Sequence, residues 1–344
     1  MHPIHQRIIE INRDQSTRYI ADDAARRRYW AQHPTFFAAV KCMDGRVLFP
    51  TMTRTPLGLV KPFRAIGGKF EIWWPSFLGR MRHWVDTAMG MGSRSFVFVT
   101  YHFSASDPHL GCAGWAYDVT AARAHAMNLA RALEEVFGEQ LTAVVTAIET
   151  DHDTLILHGP EGDVSGSACM GKSTDDIRTL FRSAFPNMVP EVIEDLIPFL
   201  RGNAAHVADL TAHPRALTAR GHNERVIALG QGFNWLAQAN LALIINDADP
   251  DLNHSIRVAA GIIEKNLAGA PTGDDATVLT CVTYREPGMD ERQACARSRG
   301  LREFAVRVIR ASHPQFLASG RLHTMAAVVW EPSKRLEVID VSPA

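Results

Sequence analysis

Two spacings of apolar positions run through this chain, and the switches between them mark out its elements. From 4 to 30, Ile4, Ile8, Ile9, Ile11, Tyr19 and Ile20 sit among polar residues and predict helix. Phe36 to Lys41 is a short apolar run ending at Cys42, the mark of a buried strand. Ser76 to Met91 places Phe77, Met81, Trp84, Val85 and Met89 at helical spacing, which predicts an amphipathic helix. Ser95 to Tyr101, rich in Val and Phe, predicts a second strand. An Ala-rich helix is predicted over Asp118 to Phe137, with Gly138 placed to cap it. Leu141 to Ile148 and Thr154 to His158 read as two strands around a polar turn, Glu149 to Asp153. Strands alternating with helices imply an α/β protein with a mostly parallel sheet flanked by helices.

After a helical connector over about 160–220, opened by a Gly- and Ser-rich loop, the pattern returns. Val278 to Val282 is a strand followed by Thr283-Tyr284, as Ser95 to Val99 is followed by Thr100-Tyr101. A polar loop, a helix over Ala296 to Ile309, a strand over Thr324 to Trp330, a turn over Glu331 to Lys334 and a strand over Leu336 to Val341 complete the copy. Upstream, Arg225 to Leu229 matches Phe36 to Val40. The same elements in the same order predict an internal duplication. The expected organisation is an N-terminal helical segment over 1–34, a chemically equipped copy over 35–160, the connector over 161–221 and a second copy over 222–344.

Composition changes this picture little. Of 344 residues, 46% are apolar and 21% charged, which is ordinary for a soluble globular protein. A net charge of −1 gives no reason to expect nucleic acid or an anionic membrane as partner. No apolar run reaches the roughly 20 residues of a spanning helix. Met1 to Asn12 lacks the apolar stretch of a signal peptide. Five cysteines in so long a chain suggest reduced thiols in a cytoplasmic setting.

The chemistry gathers at strand ends. Cys42-Met43-Asp44-Gly45-Arg46 follows the first strand, His102 ends the second, and Cys112 lies one loop later. In a parallel sheet the carboxyl ends of strands collect catalytic groups. Two thiolates and an imidazole suit zinc and leave one tetrahedral position for water. The second copy has Gly230 to Asn234 and Arg285 where the first has these groups, so it is expected to hold no metal.

Cys-x-Asp-x-Arg after one strand, with His and Cys after the next, resembles the β-carbonic anhydrases. Phe63-Arg64-Ala65-Ile66-Gly67-Gly68 is similar to that family's Arg-Asn-Ala-Gly-Asn stretch, although Ala65 and Gly68 stand where it has Asn. The carboxysome shell carbonic anhydrases resemble the chain better, with a longer loop between His and Cys and a degenerate second half. The resemblance implies a β-carbonic-anhydrase-like central sheet, internally duplicated as a pseudo-dimer, with one Zn2+ on Cys42, His102 and Cys112. His109 is the competing ligand, because His109-Leu110-Gly111-Cys112 has the family's common spacing. It also implies hydration of CO2 to bicarbonate by zinc-bound hydroxide. Asp44 would orient that nucleophile, Arg46 would keep Asp44 ionised and off the metal, and Arg64 with Gly67-Gly68 would shape the floor. Two thiolates cancel the ion's charge, so an alkaline operating range is expected. A homo-oligomer of pseudo-dimers and a cytoplasmic location follow, with carboxysome association as a variant that the lack of a long N-terminal arm disfavours. COS or CS2 hydrolysis fits the same site, and a non-catalytic, zinc-stabilised assembly protein is a further alternative.

Other features have plainer readings. Gly166-Ser-Ala-Cys-Met-Gly171-Lys172-Ser173 matches a phosphate-binding P-loop pattern and makes a nucleotide-binding protein an alternative function of another class, although Pro160 to Ser165 separate it from the preceding strand. Asp151-His152-Asp153 reads as a solvated turn. Arg26-Arg27-Arg28 reads as a solvated helix face, Trp73, Trp74 and Trp115 as core or interface aromatics, and Cys169, Cys281 and Cys295 as buried or incidental thiols.

Overall fold

A run such as Phe36-Phe-Ala-Ala-Val-Lys-Cys42 has no polar side to offer water, so it must be covered on both faces. In the computed structural model, which describes residues 1–215, 221–271 and 273–344, it forms β1 (Phe36–Cys42), buried almost throughout. The chain divides into two compact units: residues 24–42 with 47–221, and residues 1–23 with 43–46 and 222–344.

In the first unit a six-stranded sheet has the order β2-β1-β3-β4-β5-β6. Its strands are β2 (Val60–Ala65), β3 (Ser95–Phe103), β4 (Leu141–Glu149), β5 (Thr154–Gly159) and β6 (Gly162–Ser165), besides β1. The β1–β2, β1–β3 and β3–β4 pairs are parallel, and β4–β5 and β5–β6 are antiparallel. Successive side chains point to opposite faces. Phe37, Ala39, Phe96 and Phe98 therefore face one layer, and Ala38, Val40, Val97 and Val99 the other. The second layer is closed by helices over Pro75–Gly90 and Val119–Phe137, through Phe77, Met81, Val85, Leu129 and Leu133. Asp118 caps the latter helix by accepting a hydrogen bond from Ala121 N, and Gly138 ends it with φ of 54°.

The first layer is closed by helices over Thr174–Ala184 and Pro190–Ala212. Phe181, Leu196, Phe199 and Leu200 pack on the phenylalanines of β1 and β3. The segment expected to connect two copies thus supplies half the core of the first unit, and 216–220 lie outside the described residues. Asn203, fully buried, donates to Met52 O and Asp153 O and accepts from Leu155 N.

In the second unit β7 (Val226–Gly230), β8 (Ala242–Asn246), β9 (Ala276–Tyr284), β10 (Leu322–Trp330) and β11 (Arg335–Pro343) take the order β11-β10-β9-β7-β8. The β7–β8, β7–β9 and β9–β10 pairs are parallel and β10–β11 is antiparallel. Strand for strand this reproduces β2-β1-β3-β4-β5. Even the turns agree: Asp153 before β5 and Lys334 before β11 both have φ of 57°, rare for residues with a Cβ. The duplication read from the sequence is present in the topology. The N-terminal helix, Pro3–Ala21, packs Ile8 against this sheet's core and pins itself through Asn12, which donates to Lys334 O and accepts from Leu336 N.

Three smaller expectations need correction. Val60–Ala65 is a strand that the pattern missed, because Pro62 argues against strand; β2 lies at the sheet edge, where a missing N–H is tolerated. Arg26 is buried while Arg27 and Arg28 are exposed, so the triplet is not one solvated face. Trp73 is 70% exposed, which removes the core half of its core-or-interface reading. Asn203→Ala should lower the unfolding free energy of the first unit by roughly 2–4 kcal/mol, since three buried backbone groups lose their partner at once; denaturant unfolding followed by the unit's tryptophans checks this.

Candidate metal centre

Parallel pairing of β1 with β3 places Val40 opposite Val99, so both strands end on the same side of the sheet. Cys42 is the last residue of β1 and His102 the last but one of β3. Ten residues later the chain returns with Cys112. All three side chains are buried, and their ligand atoms lie within 4.8 Å of one another. The two Sγ atoms are 3.8 Å apart. A disulfide needs about 2.05 Å. Two sulfurs on one tetrahedral zinc, at about 2.3 Å each, would stand about 3.8 Å apart. The soft donor set and this separation fit a zinc ion with one further vertex open. His109 is exposed and packs edge-on against Tyr117, at 5.2 Å between ring centroids, outside the group.

The Ile66–Gly68 turn borders the group. Gly67 and Gly68 have φ of 63° and 64°. A Cβ on Gly68 would come within 3.5 Å of Cys42 N and of Thr100 O. Trp115 Nε1 donates to Gly67 O at 2.8 Å, and a Cβ on Gly114 would lie 2.7 Å from Gly67 N. The glycines therefore let the strand after Arg64 approach both cysteine segments. Lys69 Nζ lies 4.3 Å over the Trp115 ring and holds it from outside.

Asp44 and Arg46 belong to the short segment that packs with the second half of the chain. Ile244 N donates to Met43 O and Asn240 N to Gly45 O. Arg46 grips Asp44 through Nε to Oδ1 (3.0 Å), Nη2 to Oδ2 (2.6 Å) and its own backbone N to Oδ1 (2.8 Å). A guanidinium fork on a carboxylate fixes orientation as well as charge. His222 stands beyond the pair: its Nε2 is 3.3 Å from Arg46 Nη2 and 3.9 Å from Asp44 Oδ2. Its Nδ1 is 3.1 Å from the carboxylate of Glu224, which is fully buried and also accepts from Gly45 N at 3.3 Å. Burial alone would lower the His222 pKa, but the Asp44 and Glu224 carboxylates outweigh it and raise it. Sequence reasoning missed His222 and Glu224. They lie just before β7, and a contact between residues 176 apart leaves no local pattern.

The other candidates separate cleanly. β6 precedes the Gly166–Ser173 loop, but it is an antiparallel edge strand, unlike the strand of a P-loop. Asp176 already accepts from Ser173 N and Oγ at the following helix's N-terminus, with Asp175 beside it, so a phosphate would meet negative charge. Burial pushes the Cys169 thiol up to about 11 and raises that of Cys281 further, which leaves both unreactive. Among the described residues, no group able to hold an ion lies at the carboxyl ends of β7 and β9, the counterparts of the strand ends that carry Cys42 and His102.

A buried set of two cysteines and one histidine, two of them at the ends of adjacent parallel strands and the third one loop later, has the donors and the separation of a three-ligand metal centre. Residues 36–184 match the family described as carboxysome shell carbonic anhydrase, catalytic domain, so the resemblance read from the sequence holds over the segment that carries the site. The carboxysome shell carbonic anhydrase of Prochlorococcus marinus (strain MIT 9313) is 25% identical over 64% of this chain and 50% of its own length. That of Parasynechococcus marenigrum (strain WH8102) is 24% identical over 83% of this chain and 55% of its own. That of Halothiobacillus neapolitanus (strain ATCC 23641 / c2) is 25% identical over 58% and 48%. The chain spans about half the length of the curated relatives it matches. No helix among the described residues is long and apolar enough to cross a membrane.

Because the folded-state pKa of His222 lies above its unfolded value of about 6.5, its charge contributes stability that is full below that pH and is lost as pH rises through the folded value. The stability difference between wild type and His222→Gln should be largest near about pH 5.5 and shrink by about pH 8.5. A difference that does not change with pH, in urea titrations at both, would contradict the assignment.

Proposed function

We propose that this chain is a zinc-dependent carbonic anhydrase that interconverts CO2 and bicarbonate, holding one zinc per chain on Cys42, His102 and Cys112. The observation that carries the reading is the 3.8 Å separation of two buried sulfurs beside a buried imidazole, a spacing that suits a shared tetrahedral ion and not a disulfide. When bound, zinc supplies the Lewis acidity that makes water a nucleophile near neutral pH. The protein's part is geometric. Asp44 follows Cys42 by two residues, and its carboxylate is turned in one direction by the Arg46 fork. With zinc bound, Asp44 would accept a hydrogen bond from the water that zinc activates and so orient it. Arg46 engages both Asp44 oxygens, which would withhold them from a metal. His222 and Glu224 hold Arg46 in turn. The glycine turn beside Cys42 lets the backbone pack closely against the cysteine segments. CO2, small and uncharged, needs little further recognition. Association with a carboxysome shell belongs to the same proposal, on the strength of what the relatives are named for.

The test is stopped-flow CO2 hydration by the zinc-loaded chain, with COS as a competing substrate. Hydration should be rapid. Cys42→Ser should lower kcat/KM by about 100-fold or more together with the zinc content. Asp44→Asn should keep its zinc and lose about 10–100-fold in kcat/KM. Metal analysis should give one zinc per chain. Faster turnover of COS than of CO2 would move the assignment to a hydrolase, and a tightly bound zinc with neither activity would leave the metal a structural role.

A further inference from the structure

The acidic turn between β4 and β5 is not solvated: Asp151 and Asp153 are each only 5% exposed. We infer that Asp151 is a positioning residue for the centre, acting on the loop that carries the chain from His102 to Cys112. This rests on the reading of those residues as zinc ligands. Nine residues separate the two ligands, and a free loop of that length would let Cys112 wander relative to His102. The Asp151 carboxylate uses one oxygen for each of two loop groups. Oδ1 accepts from Ser104 Oγ at 2.8 Å and Oδ2 from Ser106 N at 2.8 Å. Ser104 Oγ then accepts from Asp107 N at 3.1 Å, and Asp107 caps the short turn leading to Gly111. Thr150, next to Asp151, donates N and Oγ1 to Phe103 O. From the strand end to the approach of Cys112, the loop is thus tied to one turn.

That turn is itself fixed from behind. Asp151 N donates to Glu149 Oε1 at 2.6 Å. Arg215 Nη2 donates to Thr150 O, Asp151 O and Asp153 Oδ1, and His206 Nε2 lies 2.9 Å from Asp153 Oδ2. Burial pushes the Asp151 carboxyl up, but the hydrogen bonds from Ser106 and Ser104 outweigh it and hold it below the usual carboxylate range. A charged carboxylate is what two donors at once require. The matching turn in the second half, closed by Lys334, has no ligand loop to hold, and Pro332 and Ser333 stand in place of Asp151 and His152.

The test compares zinc affinity, by chelator competition on the full chain, and the cobalt(II)–thiolate absorption of the metal-substituted protein. Asp151→Ala should weaken zinc by about tenfold or more and shift the cobalt band at saturating metal, a change that mere loss of stability would not produce. Ser104→Ala should do the same to a smaller extent, and Ser104→Thr, which keeps a hydroxyl, should restore wild-type behaviour. In the Asp151→Ala background, Ser104→Ala should add nothing. If Asp151→Ala does not fold, the Ser104 pair decides alone. Zinc affinities within about twofold of wild type and unchanged cobalt spectra in the folded variants would overturn the inference while leaving the ligands in place. A wild-type chain that binds no zinc would overturn the ligand reading and this inference with it.

Discussion

The centre depends on the parallel pairing of β1 with β3. Their common direction brings the end of one strand, with its thiol, beside the end of the other, with its imidazole. No single contact achieves this. It follows from a register held by backbone hydrogen bonds along both strands, and from a core that will not let them slide. A shift of one residue would turn Phe37, Phe96 and Phe98 out of the layer they share with Phe199. The apolar packing between sheet and helices is therefore what sets the position of these side chains.

Two sets of buried polar groups stand out. One is the Asp44–Arg46 pair with His222 and Glu224, in which two carboxylates face two bases. The other is the Asp151 and Asp153 turn, which binds the loop between His102 and Cys112 on one side and Arg215 with His206 on the other. Buried charges of this kind persist only when paired and hydrogen-bonded. Each set is built from groups far apart in the chain and holds a short segment that has little apolar surface of its own.

The two halves share a fold and have parted in chemistry. The order and direction of five strands are the same, down to a left-handed turn residue before the last strand. Where the first copy has Cys42 at a strand end, the second has Gly230, with φ of 119° and its missing Cβ 2.1 Å from Cys281 O, a position no larger residue could take unchanged. The second copy also supplies His222 and Glu224, which lie against the segment that follows Cys42.

What the sequence determined by itself was local or periodic. The strands of β1, β3, β4 and β9, the Asp118-capped helix, the duplication, and the gathering of Cys42 and His102 at strand ends with Cys112 one loop later were legible, because burial imposes a spacing on the apolar residues of each element. The choice of His102 over His109 also had a local cue, the position at the end of a strand. The tertiary structure alone decided the rest. It made the helices over 174–212 part of the first unit's core, buried Asp151 and Asp153 of a turn expected to be solvated, and matched Arg46 with His222. These are pairings between residues dozens to nearly two hundred positions apart. A polar side chain carries no mark of its distant partner, and only the packing of the apolar layers brings the two within hydrogen-bond reach.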